Sequence, residues 1–202
     1  MRLRRKLHRL INRTIESKTH TVKLEKNFFK LFELPQQFDT DSVAMKRRFR
    51  VLQRNFHPDR YIGKPPQEHR LAVQLSAHIN TAFATLSDPV KRAEHLLNLQ
   101  GIEIDHQQST IKDNVFLLKQ MEFRETLEQA AFEKDRLALS NILTEVSDDF
   151  KVCQIEFAKK IVNLNSTESQ SLTDSLCNEV SKMYFYQSLS NELNTNIRLL
   201  SQ

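Results

Sequence analysis

Residues 39–61 read DTDSVAMKRRFRVLQRNFHPDRY, and the spacing of the apolar residues in this stretch sets the architecture around it. Met45, Phe49, Leu52 and Phe56 recur at intervals of four, three and four, which makes one helical stripe. At about 100° per residue, Arg47, Arg50 and Arg54 fall on nearly the opposite face. The segment is therefore predicted to be a helix, apolar behind and cationic in front, capped at its start by Asp39, Thr40 or Asp41. It must end at His57, because the residue before Pro58 is pushed out of the α region. A loop through RYIGKPP follows, broken by Gly63, Pro65 and Pro66. A second long helix then carries Leu71, Leu75, Ile79, Ala82, Phe83 and Leu86 at helical spacing. Two such stripes pack as an antiparallel hairpin, and HPDRYIGKPP projects from its tip.

Further out, NFFKLFELP is predicted to form a short apolar helix stopped by Pro35. LSDPVKRAEHLLNLQG starts another helix at Asp88 and Pro89, and Gly101 closes the unit. The polar run IEIDHQQST reads as a linker, and three more helices follow at about 111–132, 134–164 and 168–200. The middle one carries Leu139, Leu143, Val146, Phe150, Cys153, Phe157, Ile161 and Leu164 in steps of three and four. A stripe of that length demands partner helices, so this part reads as a bundle. The fold class expected is all-α. Four regions are expected: a basic extension over 1–26, a hairpin domain over 27–101, a linker over 102–110 and a helical bundle over 111–202.

Composition agrees with this. With only two Gly and five Pro in 202 residues, the chain should be mostly helical. No apolar run approaches the roughly 18 residues that span a bilayer, and a soluble protein is expected. Cys153 and Cys177 stand far apart without a CxxC companion, so neither a disulfide framework nor a zinc site is encoded. The net charge of +5 is concentrated in the opening MRLRRKLHRLINRTIESKTH, where Leu3, Leu7, Leu10 and Ile11 lie at helical spacing. Such a start suits a membrane-surface or nucleic-acid arm, an organelle transit peptide, or a solvated extension.

His57 beside Asp59 invites a catalytic or metal reading, yet neither has support. A catalytic pair needs a nucleophile and an oxyanion site in a pocket, whereas this pair sits on a hairpin tip. The two residues are not an i, i+4 ligand pair, and His69 and His78 read as helix-surface histidines. Recognition fits better. Pro58 limits loop entropy, Asp59 accepts charge-assisted bonds, and the arginine face steers toward an acidic partner.

The helix after the linker has its own surplus. Phe116, Phe123, Leu127 and Ala130 make one face suited to a core, while Leu117, Leu118 and Met121 project nearly opposite, beside Glu122, Glu125 and Glu128. From pattern alone this second face serves equally for packing on the first domain, for dimerisation, or for a partner. Phe185 lies off the stripe traced by Leu176, Val180, Met183 and Ile197.

RNFHPDRY after a basic amphipathic helix, followed by INTAFATLSDPVKRAEHLL, resembles a J domain of the DnaJ family over about residues 27–99. No Gly/Phe-rich linker and no CxxCxGxG repeats follow, unlike the general DnaJ type. TIKDNVFLLKQMEFRETLEQA beyond RAEHLLNLQGIEID resembles the HscB family, the J-type co-chaperones of iron–sulfur cluster assembly, which extends the likeness to roughly 27–200. The resemblance implies an N-terminal J domain and a C-terminal three-helix bundle. It implies that His57, Pro58 and Asp59 stimulate ATP hydrolysis by an HscA-type seventy-kilodalton chaperone, with Arg47, Arg50, Arg54 and Arg60 in the same contact. It places an IscU-type scaffold on Leu117, Leu118, Met121, Glu122, Glu125 and Phe185. Gln129 stands where that face's next acidic residue is expected.

The function expected is therefore a co-chaperone that is not itself an enzyme, with no catalytic or metal residues and no cofactor. No nucleic-acid or membrane partner is expected, and the chain is expected to be a monomer in a bacterial cytoplasm. The mitochondrial matrix replaces that location if the basic extension is a transit peptide. The competing readings are a J protein for another client, a nucleic-acid binder using its basic arm, and a metal-dependent enzyme.

Overall fold

The computed structural model describes residues 24–104, 113–164 and 170–201. The helical reading of the basic extension, most of the linker and the connection at 165–169 lie outside the described residues. Among the described residues all regular structure is helical, as expected. They form two compact units. One holds the described residues up to Gln36 with Thr40–Asp88; the other holds Gln37–Asp39 with the described residues from Pro89 onward.

In the first unit, α1 (Phe28–Phe32) is opened by Asn27, whose side chain accepts from the Lys30 amide, and closed by Glu33 in the left-handed region at φ 54°. Phe29 and Phe32 are fully buried. Asp41 proves to be the cap of α2 (Ser42–Phe56), its Oδ1 accepting from the Val43 and Ala44 amides at 2.9 and 3.0 Å. Met45, Leu52 and Phe56 are buried, and Phe49 stacks on Phe83 of α3 (Pro66–Ser87) with ring centroids 4.1 Å apart. Gln53 and Asn80 bond across the same hairpin. The buried line of α3 runs through Ala72, Ser76, Ile79, Ala82 and Leu86, one position round from Leu71 and Leu75, which are half-buried. Small residues let the two backbones approach, so the larger leucines flank the contact instead of filling it.

The second unit holds α4 (Pro89–Leu99), α5 (Asn114–Phe132), α6 (Arg136–Leu164) and α7 (Gln170–Leu199). The long pair α6 and α7 has the most extensive contact, α5 packs on α6, and α4 packs on α7. The sequence reading ended the first domain at Gly101. By packing, α4 instead lies with the second unit, where Val90, Ala93, Leu96 and Leu97 are buried. Phe38, which no periodicity marks, is also buried here. Its ring meets Phe157 edge-on at 5.0 Å, and the Arg92 guanidinium lies 4.8 Å over it.

Candidate functional site

The tip of the hairpin is built by its own residues. His57 leaves the α region at ψ 129°, which ends α2, and Pro58–Tyr61 make one 3-10 turn. The turn folds back on the helix it follows. Arg60 Nη1 donates to the Arg54 carbonyl at 2.9 Å and Tyr61 Oη to the Asn55 carbonyl at 3.4 Å. Both carbonyls belong to the last turn of α2, where intrahelical donors run out. His57 Nδ1 accepts from the Asp59 amide at 3.4 Å and lies 3.4 Å from Asp59 Oδ2. The two side chains remain 52% and 76% exposed. The loop therefore holds its backbone in one shape while presenting an imidazole edge and a carboxylate to solvent. Gly63, at φ +79°, takes the left-handed position that lets the chain turn toward α3.

Arg47, Arg50 and Arg54 are exposed on α2. Arg48, which the cationic-face reading passed over, bridges to Glu33 at 2.6 Å and belongs to the internal packing of the unit.

On α5 the two faces fall as the periodicity predicts. Phe116, Phe123, Leu127 and Ala130 are buried, whereas Leu117, Leu118 and Met121 are 39%, 67% and 60% exposed, beside exposed Glu122, Glu125 and Glu128. Three contacts hold the helix in place. Asp113 caps it through the Phe116 amide at 3.0 Å and also receives Lys182 Nζ of α7 at 2.7 Å. These two donors hold the Asp113 carboxyl below the usual carboxylate range, the lysine bond contributing most. Lys119 reaches Asp149 of α6 at 2.7 Å, a bond that raises the lysine's proton affinity. Arg124 meets Glu192 of α7 at 2.5 Å.

Phe185 is half-buried, its ring edge-on to Phe116 and Tyr186 at 5.6 and 5.5 Å, with the Arg124 guanidinium 6.0 Å above it. The sequence reading placed it on the exposed surface. The structure gives it a packing role as well, because a cross-helix aromatic contact leaves no trace in one helix's periodicity. The exposed apolar residues that were not singled out include Phe132 at the end of α5 and Leu137 at the start of α6.

Other chemistry has little here. Among the described residues no group of three or more His, Cys, Asp or Glu is placed to hold a metal ion. His78 bonds the Glu25 carbonyl at 2.8 Å and packs on Phe28. Cys153 is buried, which pushes its thiol up to about 12, and Cys177 is half-buried. Neither is a thiolate at neutral pH. No helix among the described residues is long and apolar enough to cross a membrane.

A basic helical hairpin with His-Pro-Asp at its tip, in a chain that also holds a helical bundle, defines a J-domain co-chaperone. A family model described as the HSCB C-terminal oligomerisation domain matches residues 112–194. The co-chaperone protein HscB homolog of Shewanella oneidensis is 37% identical over 83% of this chain and 94% of its own. The chain belongs to the HscB family, the J-type co-chaperones of iron–sulfur cluster assembly. Chaperone HscB from Vibrio cholerae superposes with a TM-score of 0.74 at 35% identity, covering 86% of this chain and 99% of that one. Human co-chaperone HscB shares the fold, with a TM-score of 0.75 at 23% identity over 87% of this chain and 83% of its own.

Proposed function

We propose that this co-chaperone couples two proteins: an HscA-type chaperone, engaged by the hairpin, and an IscU-type scaffold, carried on α5. His57, Pro58 and Asp59 make the trigger. Asp59 offers both carboxylate oxygens to a cation of the chaperone, and His57 offers the ring edge that its contact with the Asp59 amide leaves free. Docking by a pre-shaped loop costs little ordering entropy. It raises the partner's ATPase only by favouring the partner's hydrolytic conformation, since the loop supplies no catalytic group. Arg47, Arg50 and Arg54 steer the encounter toward an acidic surface, and Arg60 closes the contact beside the trigger. The chain itself is not an enzyme and needs no cofactor in this role, and its working place is the bacterial cytoplasm. On α5, Leu117, Leu118 and Met121 are the apolar anchors of the scaffold contact, Glu122 and Glu125 its acidic rim, and Phe185 the aromatic that flanks it. The functional J domain spans 27–101, the linker 102–110 and the scaffold-binding bundle 111–202.

The observation that carries this reading is the apolar face on α5 opposite its core face, in a chain whose J-type tip leaves imidazole and carboxylate in solvent. A crossed experiment tests it. His57→Gln should abolish stimulation of the chaperone's ATPase while scaffold affinity, read by calorimetry, stays unchanged. Leu117→Ala with Leu118→Ala should weaken scaffold binding by about 2 kcal/mol and leave scaffold-free stimulation intact. Wild-type stimulation by His57→Gln, or wild-type affinity in a folded double variant, would refute the corresponding half.

A further inference from the structure

The last residue of α5 has a side chain that the bundle does not use. Phe132 is 88% exposed, the most of any large apolar residue described. An aromatic ring carries some 150–250 Å² of surface that gains by burial. Its position is not a frayed end. The Glu133 amide donates to the Gln129 carbonyl, the Lys134 amide to the Ala131 carbonyl and the Asp135 amide to the Ala130 carbonyl, at 2.9, 3.2 and 2.9 Å. Lys134 takes the left-handed conformation at φ 56°, and Asp135 Oδ1 caps α6 through the Ala138 amide at 2.9 Å. One turn closes α5 and opens α6, so the backbone under Phe132 is fixed.

The azimuth of this ring is informative. At about 100° per residue, Phe132 falls on the side of α5 that carries Leu118, Met121 and Glu125. It lies fifteen residues beyond Leu117, about 22 Å along the axis, a length suited to one side of an ordinary protein interface. Glu122, Glu125 and Glu128 occupy the surface between the two apolar ends. Beyond them the acidic series gives way to Gln129, whose side chain bonds Glu133 at 3.0 Å.

We propose that Phe132 is a second anchor of the scaffold-docking surface, extending it to the C-terminal end of α5. The inference rests on the reading of α5 as the scaffold face. The occupant follows from the alternation along the helix. A partner covering both apolar ends must meet three glutamates between them, so it carries apolar pockets separated by Lys or Arg. A second copy of this chain docking by the same face would set glutamates against glutamates. The scaffold is therefore the occupant, and Phe132 fixes how far along α5 it lies.

Titration calorimetry of the full chain with a purified apo IscU-type scaffold tests this. Phe132→Gln should raise Kd by about fivefold or more, as loss of one apolar anchor does, without changing Tm, and Phe132→Leu should recover part of the loss. Leu118→Ala is the reference variant. If Leu118→Ala weakens binding while Phe132→Gln binds like wild type, the second anchor is refuted and the docking face stands. If neither weakens binding, the face itself is wrong. Unchanged scaffold affinity in Phe132→Gln, together with a shift of the isolated protein to a smaller species in sedimentation, would also overturn the proposal and assign the ring to self-association.

Discussion

Arg60 has a place in the fold besides the partner contact proposed for it. The family resemblance implies only a partner contact for it; the structure adds the bond to the Arg54 carbonyl, which helps close α2. Arg60→Ala should therefore lower stability by about 0.5–1.5 kcal/mol as well as reduce stimulation of the chaperone. Asp59→Asn differs. It keeps shape and size at a side chain that is mostly in solvent, so its effect on stability should stay within about 0.5 kcal/mol while stimulation is lost. Urea midpoints set beside ATPase rates separate the two cases, and equal midpoints for Arg60→Ala and wild type would remove the capping role. The histidine, proline and aspartate were legible because their types and order are local. Arg60's second partner lies six residues back, across a turn whose geometry the sequence does not spell out.

At the scale of the element, α5 depends on how it starts. Asp113 bonds the helix's own amide at Phe116 and also Lys182 of α7, so Asp113→Ala should cost about 1 kcal/mol as a lost cap. Asp113→Asn keeps the capping oxygen and removes the charge. Because the native carboxyl is held below its usual value of 3.8, its charge contributes stability above that value and loses it as pH falls through the lower native one. The stability gap between wild type and Asp113→Asn should then be present at neutral pH and shrink in the acid range below 3.8. Denaturation at several pH values checks this; a gap that widened on acidification would contradict it. On α2, reversing Arg50 and Arg54 to Glu should slow association with the chaperone, and added salt should narrow the difference. Stopped-flow rates at two ionic strengths measure it. The faces of both helices were readable because a 3.6-residue period sorts large apolar residues from charged ones. The first half of α3 was read one position away, at Leu71 and Leu75, since Ala72 and Ser76 are chosen for closeness and not for size, whereas Ile79, Ala82 and Leu86 were read in place. Phe132 escaped notice at a helix end, where periodicity has no further turn to confirm it.

For the whole molecule, the placement of α4 decides where the chain can be cut. The sequence resemblance runs through RAEHLL as one domain, yet the packing puts Pro89–Leu99 on α7. Periodicity could show that α4 has an apolar face, but not which neighbour takes it. Val90, Leu96 and Leu97 are at most 3% exposed, and burying such side chains contributes roughly 1.5–3 kcal/mol each relative to exposure. Part of that burial is against α7, and removing α4 leaves an apolar strip on α7 with nothing to cover it. A fragment beginning at Pro89 should therefore unfold cooperatively and be at least about 2 kcal/mol more stable than one beginning at Ile102. It should also bind the scaffold with the affinity of the full chain, because α5 and the aromatic contact at Phe116 and Phe185 are retained. The shorter fragment should bind more weakly or aggregate through the uncovered strip. Urea denaturation of both fragments, followed by scaffold titration, gives the comparison. Equal stability would mean that α4 contributes nothing to the bundle and that the domain ends at Gly101 energetically as well as by resemblance.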